Sequence, residues 1–356
     1  MTRSGLANVH GWSGFLLPVA AALLLGCALP GCNKGRAAEL RPSRLKALLS
    51  PDGDYIAVQH GSVRNPVQVV NLTTGGLQTF PKAALLDWHP CSDGTQRLTC
   101  RRLSSTREIP KHCDLGLDGS NHALPGIPPL VTRLKWSPDG GRALYGRTVW
   151  RGQQVTQQLA LWQDGVRRVV FQRAGLNPRS FSWAVDGGRV FATCSSAEGS
   201  TATGVVCVDI PSGKAVYLFE ERVREVRPSA DGRFLFCRAQ REGDLHPPRH
   251  QLGRVATGPP YQSQVVGPPK ARDIVDFDCS ADGTRVATTD ERGQLWYGQV
   301  DTGEYSRIAD VGYKPVFLEA DSLLFFRKSD TAADASVLLL YHDPRSGVTR
   351  QVAELQ

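Results

Sequence analysis

The sequence predicts an all-β chain, a seven-bladed β-propeller of four-stranded antiparallel blades. Three observations predict it: a turn motif that recurs, the size of its period, and an apolar/polar alternation at matched positions before each turn. The motif is clearest in WSPDGGRALYG, Trp136 to Gly146. Pro presets φ, Asp bonds its own backbone, and Gly accepts positive φ, so an apolar run, a tight turn and a second apolar run read as a hairpin. The same turn places an aspartate at Asp52, Asp93, Asp139, Asp186, Asp231 and Asp282. A seventh, degenerate copy, FLEADSLLFF, has Asp321 with Ser322 in place of the glycine. The spacings are 41, 46, 47, 45, 51 and 39 residues. A period near 45 built of short strands and turns is the signature of propeller blades.

Each unit fills out alike. An inner strand precedes the turn and a second strand follows it. A third strand ends in another turn, as in VQVVNLTTGG, LALWQDG and LWYGQVDTGE, and a short fourth strand closes the unit. The fifth unit shows no clear third-strand turn. In its place stands a stretch rich in Pro, Arg and His, from Gln240 to Arg272, which reads as an insertion. On the inner strands Leu134 and Trp136, Phe181 and Trp183, and Phe277 and Cys279 lie five and three residues before the repeat aspartate. Lys135, Ser182 and Asp278 stand between them. That is the period of a strand with one buried face. The aspartates themselves read as turn caps, since each turn offers one carboxylate whereas calcium needs six to eight converging oxygens.

The first residues have a different character. Arg3 precedes an apolar run of 12 residues, Phe15 to Gly26, too short to span a bilayer and suited to a signal-peptide core. The run ends in LLLGCALPGC, which resembles a bacterial lipobox. The resemblance implies diacylglyceryl modification at Cys27, with Cys32 as the alternative, although an ordinary secretory signal would leave both cysteines incidental. The expected organisation is residues 1–26 as signal peptide, 27–40 as lipidated tether and 41–356 as propeller. Cleavage before Cys27 removes Arg3 and no acid, lowering the formal charge from +8 to +7. That excess is spread along the chain without a basic run, so a nucleic-acid role is not expected.

The S-P-D-G and S-A-D-G turns, with the D-x-x-T-G-type turn later in the units, resemble the TolB-type, WD-repeat-like β-propeller family. The resemblance runs from about residue 40 to the C-terminus and implies fold more than function. It differs from the TolB arrangement in that no α/β domain precedes the repeats and in that there are seven units.

Seven cysteines lie beyond the lipobox. Cys100 and Cys113 in unit two, and Cys194 and Cys207 in unit four, hold matching places on second and third strands, both pairs separated by 13 residues. In an oxidising compartment this spacing predicts two intrablade disulfides. No closely spaced pair suggests zinc. There is no G-x-S-x-G elbow outside the N-terminal segment and no phosphate-binding G-x-x-x-x-G-K-[ST], so no catalytic residue, metal or cofactor is assigned.

Two places could carry recognition. One is the fifth-unit stretch, with His246, Arg249, His250 and Tyr261. The other is the channel mouth, where Lys46, Arg133, Lys135, Arg224 and Arg227 could ring the axis, interrupted by Asp276 and Asp278. Trp150 lies outside the matched core positions and is the best candidate for an exposed aromatic. The expected function is a membrane-anchored, monomeric scaffold of the bacterial cell envelope, facing the periplasm or the cell surface, whose partners are envelope proteins. The alternatives are a lactonase- or lyase-like propeller enzyme and a small-ligand or polysaccharide binder at the channel mouth.

Overall fold

The computed structural model describes residues 45–61, 65–102, 111–174, 176–196, 203–219, 223–240, 249–258, 261–271, 273–318, 321–329 and 336–355. Cys27, Cys32 and His246 lie outside them. Each predicted unit forms one four-stranded antiparallel sheet whose strands follow chain order from the axis outward. The innermost strands are Lys46–Leu49, Ala83–Pro90, Leu134–Trp136, Leu176–Trp183, Val223–Pro228, Ile274–Cys279 and Tyr313–Phe317. Each lies beside the next, and the seventh lies beside the first, which closes the ring. The chain is a seven-bladed β-propeller.

The alternation on the inner strands has the predicted effect. Leu134, Trp136, Phe181, Trp183 and Phe277 are buried, because every second side chain of a strand points to the same face. The apolar side chains gather between blades, in one cluster at each of the seven blade-to-blade interfaces. The repeat aspartates cap their own turns. Asp93, Asp186 and Asp282 accept the backbone N–H two residues on at 2.9, 2.8 and 3.0 Å, and Asp52, Asp139 and Asp231 do the same. Asp321 departs from the set. With no glycine after it, Asp321 itself takes φ +69°, and its carboxylate pairs with Arg285 of the preceding blade.

Two expectations are corrected. The described part of the fifth-unit stretch is mostly ordinary blade. His250–Ala256 and Ser263–Val266 are its third and fourth strands, paired in register with Phe234–Gln240 and with each other. The two disulfides are absent. Cys207 lies opposite Phe191 and Cys194 opposite Gly204, three positions apart along the strand. An odd offset puts the two side chains on opposite faces of the sheet, Cys194 in the cluster toward blade 3 and Cys207 against the cluster toward blade 5. Cys100 and Cys113 do lie directly opposite each other, yet both are buried free thiols. Directly opposed strand positions hold Cβ atoms about 4.5–5.5 Å apart, at or beyond the wide end of what a disulfide spans.

Candidate functional site

The channel mouth is charged, but its charges are largely spent on one another. Arg227 sits on the inner strand of blade 5 and reaches Glu225 on the same strand at 2.8 Å. It also reaches Asp276 and Asp278 on the inner strand of blade 6, at 3.3 and 3.2 Å. Lys314 of blade 7 takes the other Asp276 oxygen at 2.7 Å. Burial opposes ionisation of Glu225, but Arg227, Arg238 and Lys314 outweigh it and hold its carboxyl below the ordinary value. Asp278 goes the other way: burial raises its pKa against the pull of Arg227. Three carboxylates therefore share two guanidinium groups, Arg227 and Arg238, and the Lys314 ammonium in a low-dielectric setting, which fixes the three inner strands relative to each other. On the other side of the mouth Lys135 pairs with Asp87 at 2.8 Å, while Asp87 also accepts the Trp136 N–H at 3.0 Å. Lys46 donates to the carbonyls of Leu85 and Leu86 at 2.7 and 3.0 Å. Arg224 is exposed.

Of the fifth-blade candidates, Arg249 is exposed. His250 opens the third strand, and its backbone N–H and ring Nδ1 both meet Asp273 Oδ1, at 2.6 and 3.0 Å. Burial lowers the pKa of the ring although Asp273 opposes this, so the imidazole is neutral at pH 7 and ties blade 5 to the start of blade 6. Tyr261 packs against the cluster between blades 4 and 5, which makes it part of the core margin rather than a projecting contact.

Arg133 and Trp150 lead to a feature the sequence did not show. Both line a cleft of about 820 Å³ at blade 3, together with Leu130, Arg147, Arg167 and Phe181. Trp150 is 70 % exposed and Leu130 82 %. Among the described residues, none of the three arginines makes an ion pair, and no carboxylate lines the cleft. Beside it the hydroxyl of Tyr145 is buried without a hydrogen-bond partner; burial raises its pKa, against the nearby charges of Arg167 and Arg147.

The cleft has a local cause. The inner strand of blade 3 is three residues long, whereas those of blades 2 and 4 run to eight. Its pairing with the second strand, Ala143–Arg151, stops at Tyr145 with Leu134. Continued in the same register, Arg133, Thr132 and Val131 would face Gly146, Arg147 and Thr148. They do not, because a turn closed by Val131 N–H to Pro128 O at 3.1 Å takes the chain off the sheet; Pro129 and Pro128, which that register would set opposite Trp150 and Arg151, have no N–H to give a ladder. Val131 then buries itself against Tyr145 and Leu86. The second strand runs on alone, paired with the third strand on its outer side only.

No protein-family model matches the sequence, and neither does any curated protein. Solved structures do match. The propeller domain of the trilobed protease from Pyrococcus furiosus, described as having an open velcro topology, superposes with a TM-score of 0.61 at 14 % identity, over 86 % of this chain and 94 % of that one. An oligogalacturonate lyase in complex with manganese gives 0.61 at 12 %, over 85 % and 89 %. TolB from Acinetobacter baumannii gives 0.50 at 14 %, over 86 % and 77 %. At such identities the likeness is one of fold: this chain is a seven-bladed β-propeller similar in structure to TolB, to a lyase and to a protease propeller.

Proposed function

We propose that the chain is a non-catalytic recognition module, a propeller of the bacterial cell envelope that holds an envelope protein, exported and anchored through Cys27. The observation that carries the reading is the blade-3 cleft. It joins exposed apolar side chains to three guanidinium groups that no described residue neutralises, while most of the acids and bases of the axis are engaged with one another. Unpaired arginines beside an exposed tryptophan are the composition of interface hot spots. The lipobox-like LLLGC supports the location.

The test is affinity capture of the tagged full chain from its native envelope, with mass spectrometry of bait and eluate. A stoichiometric envelope protein, and an acylated N-terminal peptide beginning at Cys27, are expected. A bait that elutes alone, or an unmodified N-terminus, would count against the reading. A second reading, action on an acidic sugar, is favoured by the arginines and Trp150 together with the likeness to the oligogalacturonate lyase. Under it the purified chain would turn over an oligogalacturonate.

A further inference from the structure

The blade-3 cleft has the shape of a missing strand. It opens along the inner edge of Gly146–Arg151, in line with the shortened inner strand, and it is lined from both faces of the sheet. Arg133, Arg147 and Arg167 line it together with Thr148, Trp150 and Gln157. Phe181 of blade 4 and the Pro128–Arg133 segment form its two walls. Six residues of strand extend about 20 Å. Alternate residues along them turn their backbone N–H and C=O away from the third strand and into the cleft. Among the described residues no backbone group meets them there. An unpaired edge of this length is a template for another strand, and soluble proteins usually cover or blunt such edges.

We propose that this slot receives an extended acidic segment of the partner protein, which completes the inner strand of blade 3 by β-strand addition. The inference rests on the recognition-module reading above and names the chemistry of the partner. Main-chain hydrogen bonds to Gly146–Arg151 supply affinity that is independent of side chains. Arg133 and Arg147 select carboxylates of the incoming strand, because guanidinium groups bind carboxylates through paired N–H donors, and Arg167, on the fourth strand in the row of Ala143, adds positive charge to the same cleft. Trp150 and Leu130 cover its apolar positions. The electrostatics favour the same occupant: Lys46 and Lys135 stand near Arg133 at the mouth, with Asp87 as their nearby acid. An acidic saccharide would satisfy the arginines but leave the strand edge unpaired.

The experiment uses the purified full chain and a fluorescein-labelled octapeptide of alternating glutamate and threonine, read by anisotropy. Saturable binding that weakens with added salt is expected. The double variant Arg147→Gln/Arg167→Gln, altered at two arginines outside the interblade apolar clusters, should weaken it by at least about tenfold. A peptide N-methylated at alternate residues, with the same charge but without half its donors, should lose about tenfold or more. Equal binding of the N-methylated peptide, or of the double variant, overturns the proposal. So does binding of polygalacturonate at the cleft in the absence of peptide binding. An envelope protein captured equally by wild type and double variant would overturn the slot while leaving the recognition-module reading standing. Capture of no protein at all would remove that reading instead.

Discussion

Lys46 shows how one side chain at the axis couples the ring to pH. Its ammonium crosses from blade 1 to two carbonyls of blade 2. Burial, and after it Lys135, lower its pKa to about 8, with Asp87 opposing both. In the unfolded chain the group titrates near the ordinary lysine value of 10.5. Between about 8 and 10.5 the unfolded state therefore holds more protons than the folded one, and stability rises with pH across that window. Below it both states are protonated and the cost of burying the charge is constant. Lys46→Met removes this contribution while keeping a side chain of similar length. The stability of wild type relative to the variant should climb by on the order of 2–3 kcal/mol between pH 8 and pH 10.5. Denaturant melts at a series of pH values would measure it, and a flat difference would refute the assignment. The sequence placed Lys46, Lys135 and Arg227 on inner strands through the period-two alternation. It could not reveal that Arg227 meets Glu225, Asp276 and Asp278 together, because that depends on how two neighbouring blades are rotated against each other.

At the scale of the element, the recurring turn also stitches blade to blade. Arg142 beside the blade-3 turn donates to Gly187 O of the blade-4 turn at 2.9 Å, and Arg233 of blade 5 donates to Asp282 O of blade 6 at 3.2 Å. Between blades 2 and 3 the His89 ring meets Gly140 O at 3.0 Å and stacks on Trp136 with centroids 3.5 Å apart. Gly140 has φ +70°, and an added Cβ would overlap the carbonyl of Pro90 in the neighbouring blade. Gly53 has the same role in blade 1 with φ +79° but has no atom within 4 Å of that position. The pair separates two costs that usually arrive together. Gly53→Ala should cost about 1 kcal/mol for the left-handed backbone alone. Gly140→Ala should cost about 3 kcal/mol or more, because backbone must move against backbone. Chemical denaturation of the two variants checks this; equal losses would mean that the turns do not bear on each other. The turns were legible in the sequence because Pro, Asp and Gly each force a local conformation. The third strand of blade 5 was not, because His250–Ala256 carries Gly253 and two polar residues at its start and lies between proline pairs that read as loop. The slot at blade 3 was hidden for a related reason. Trp150 stood out as unmatched, but the gap beside it exists because the ladder stops at Leu134 and the Pro128–Val131 turn leaves the sheet where blades 2 and 4 continue.

Over the whole molecule, each blade is made from its own four consecutive strands, so among the described residues no strand from one end of the chain completes the blade at the other. The ring is closed by side-chain packing. Leu45, Ile56, Val58 and Val70 of the first blade meet Leu324, Phe326, Val337, Leu339 and Leu355 of the last. Every other interface joins blades that are also neighbours along the chain. The first and last blades each have one covalent neighbour, so either can detach by opening the seam and one further interface, with no closed loop of chain to hold it. Regions of this kind open sub-globally at a free energy below that of global unfolding. Phe326 is fully buried in the seam. Phe326→Ala should cost about 3–5 kcal/mol there. Native-state hydrogen exchange should localise the loss: amides of Tyr55–Gln59 and Val337–Asp343 should exchange faster, while those of Ala143–Tyr145, at the far side of the ring, keep their protection. A uniform fall in protection across all blades would mean that the seam opens only when the entire ring does, and that packing alone closes a propeller as firmly as a shared strand would.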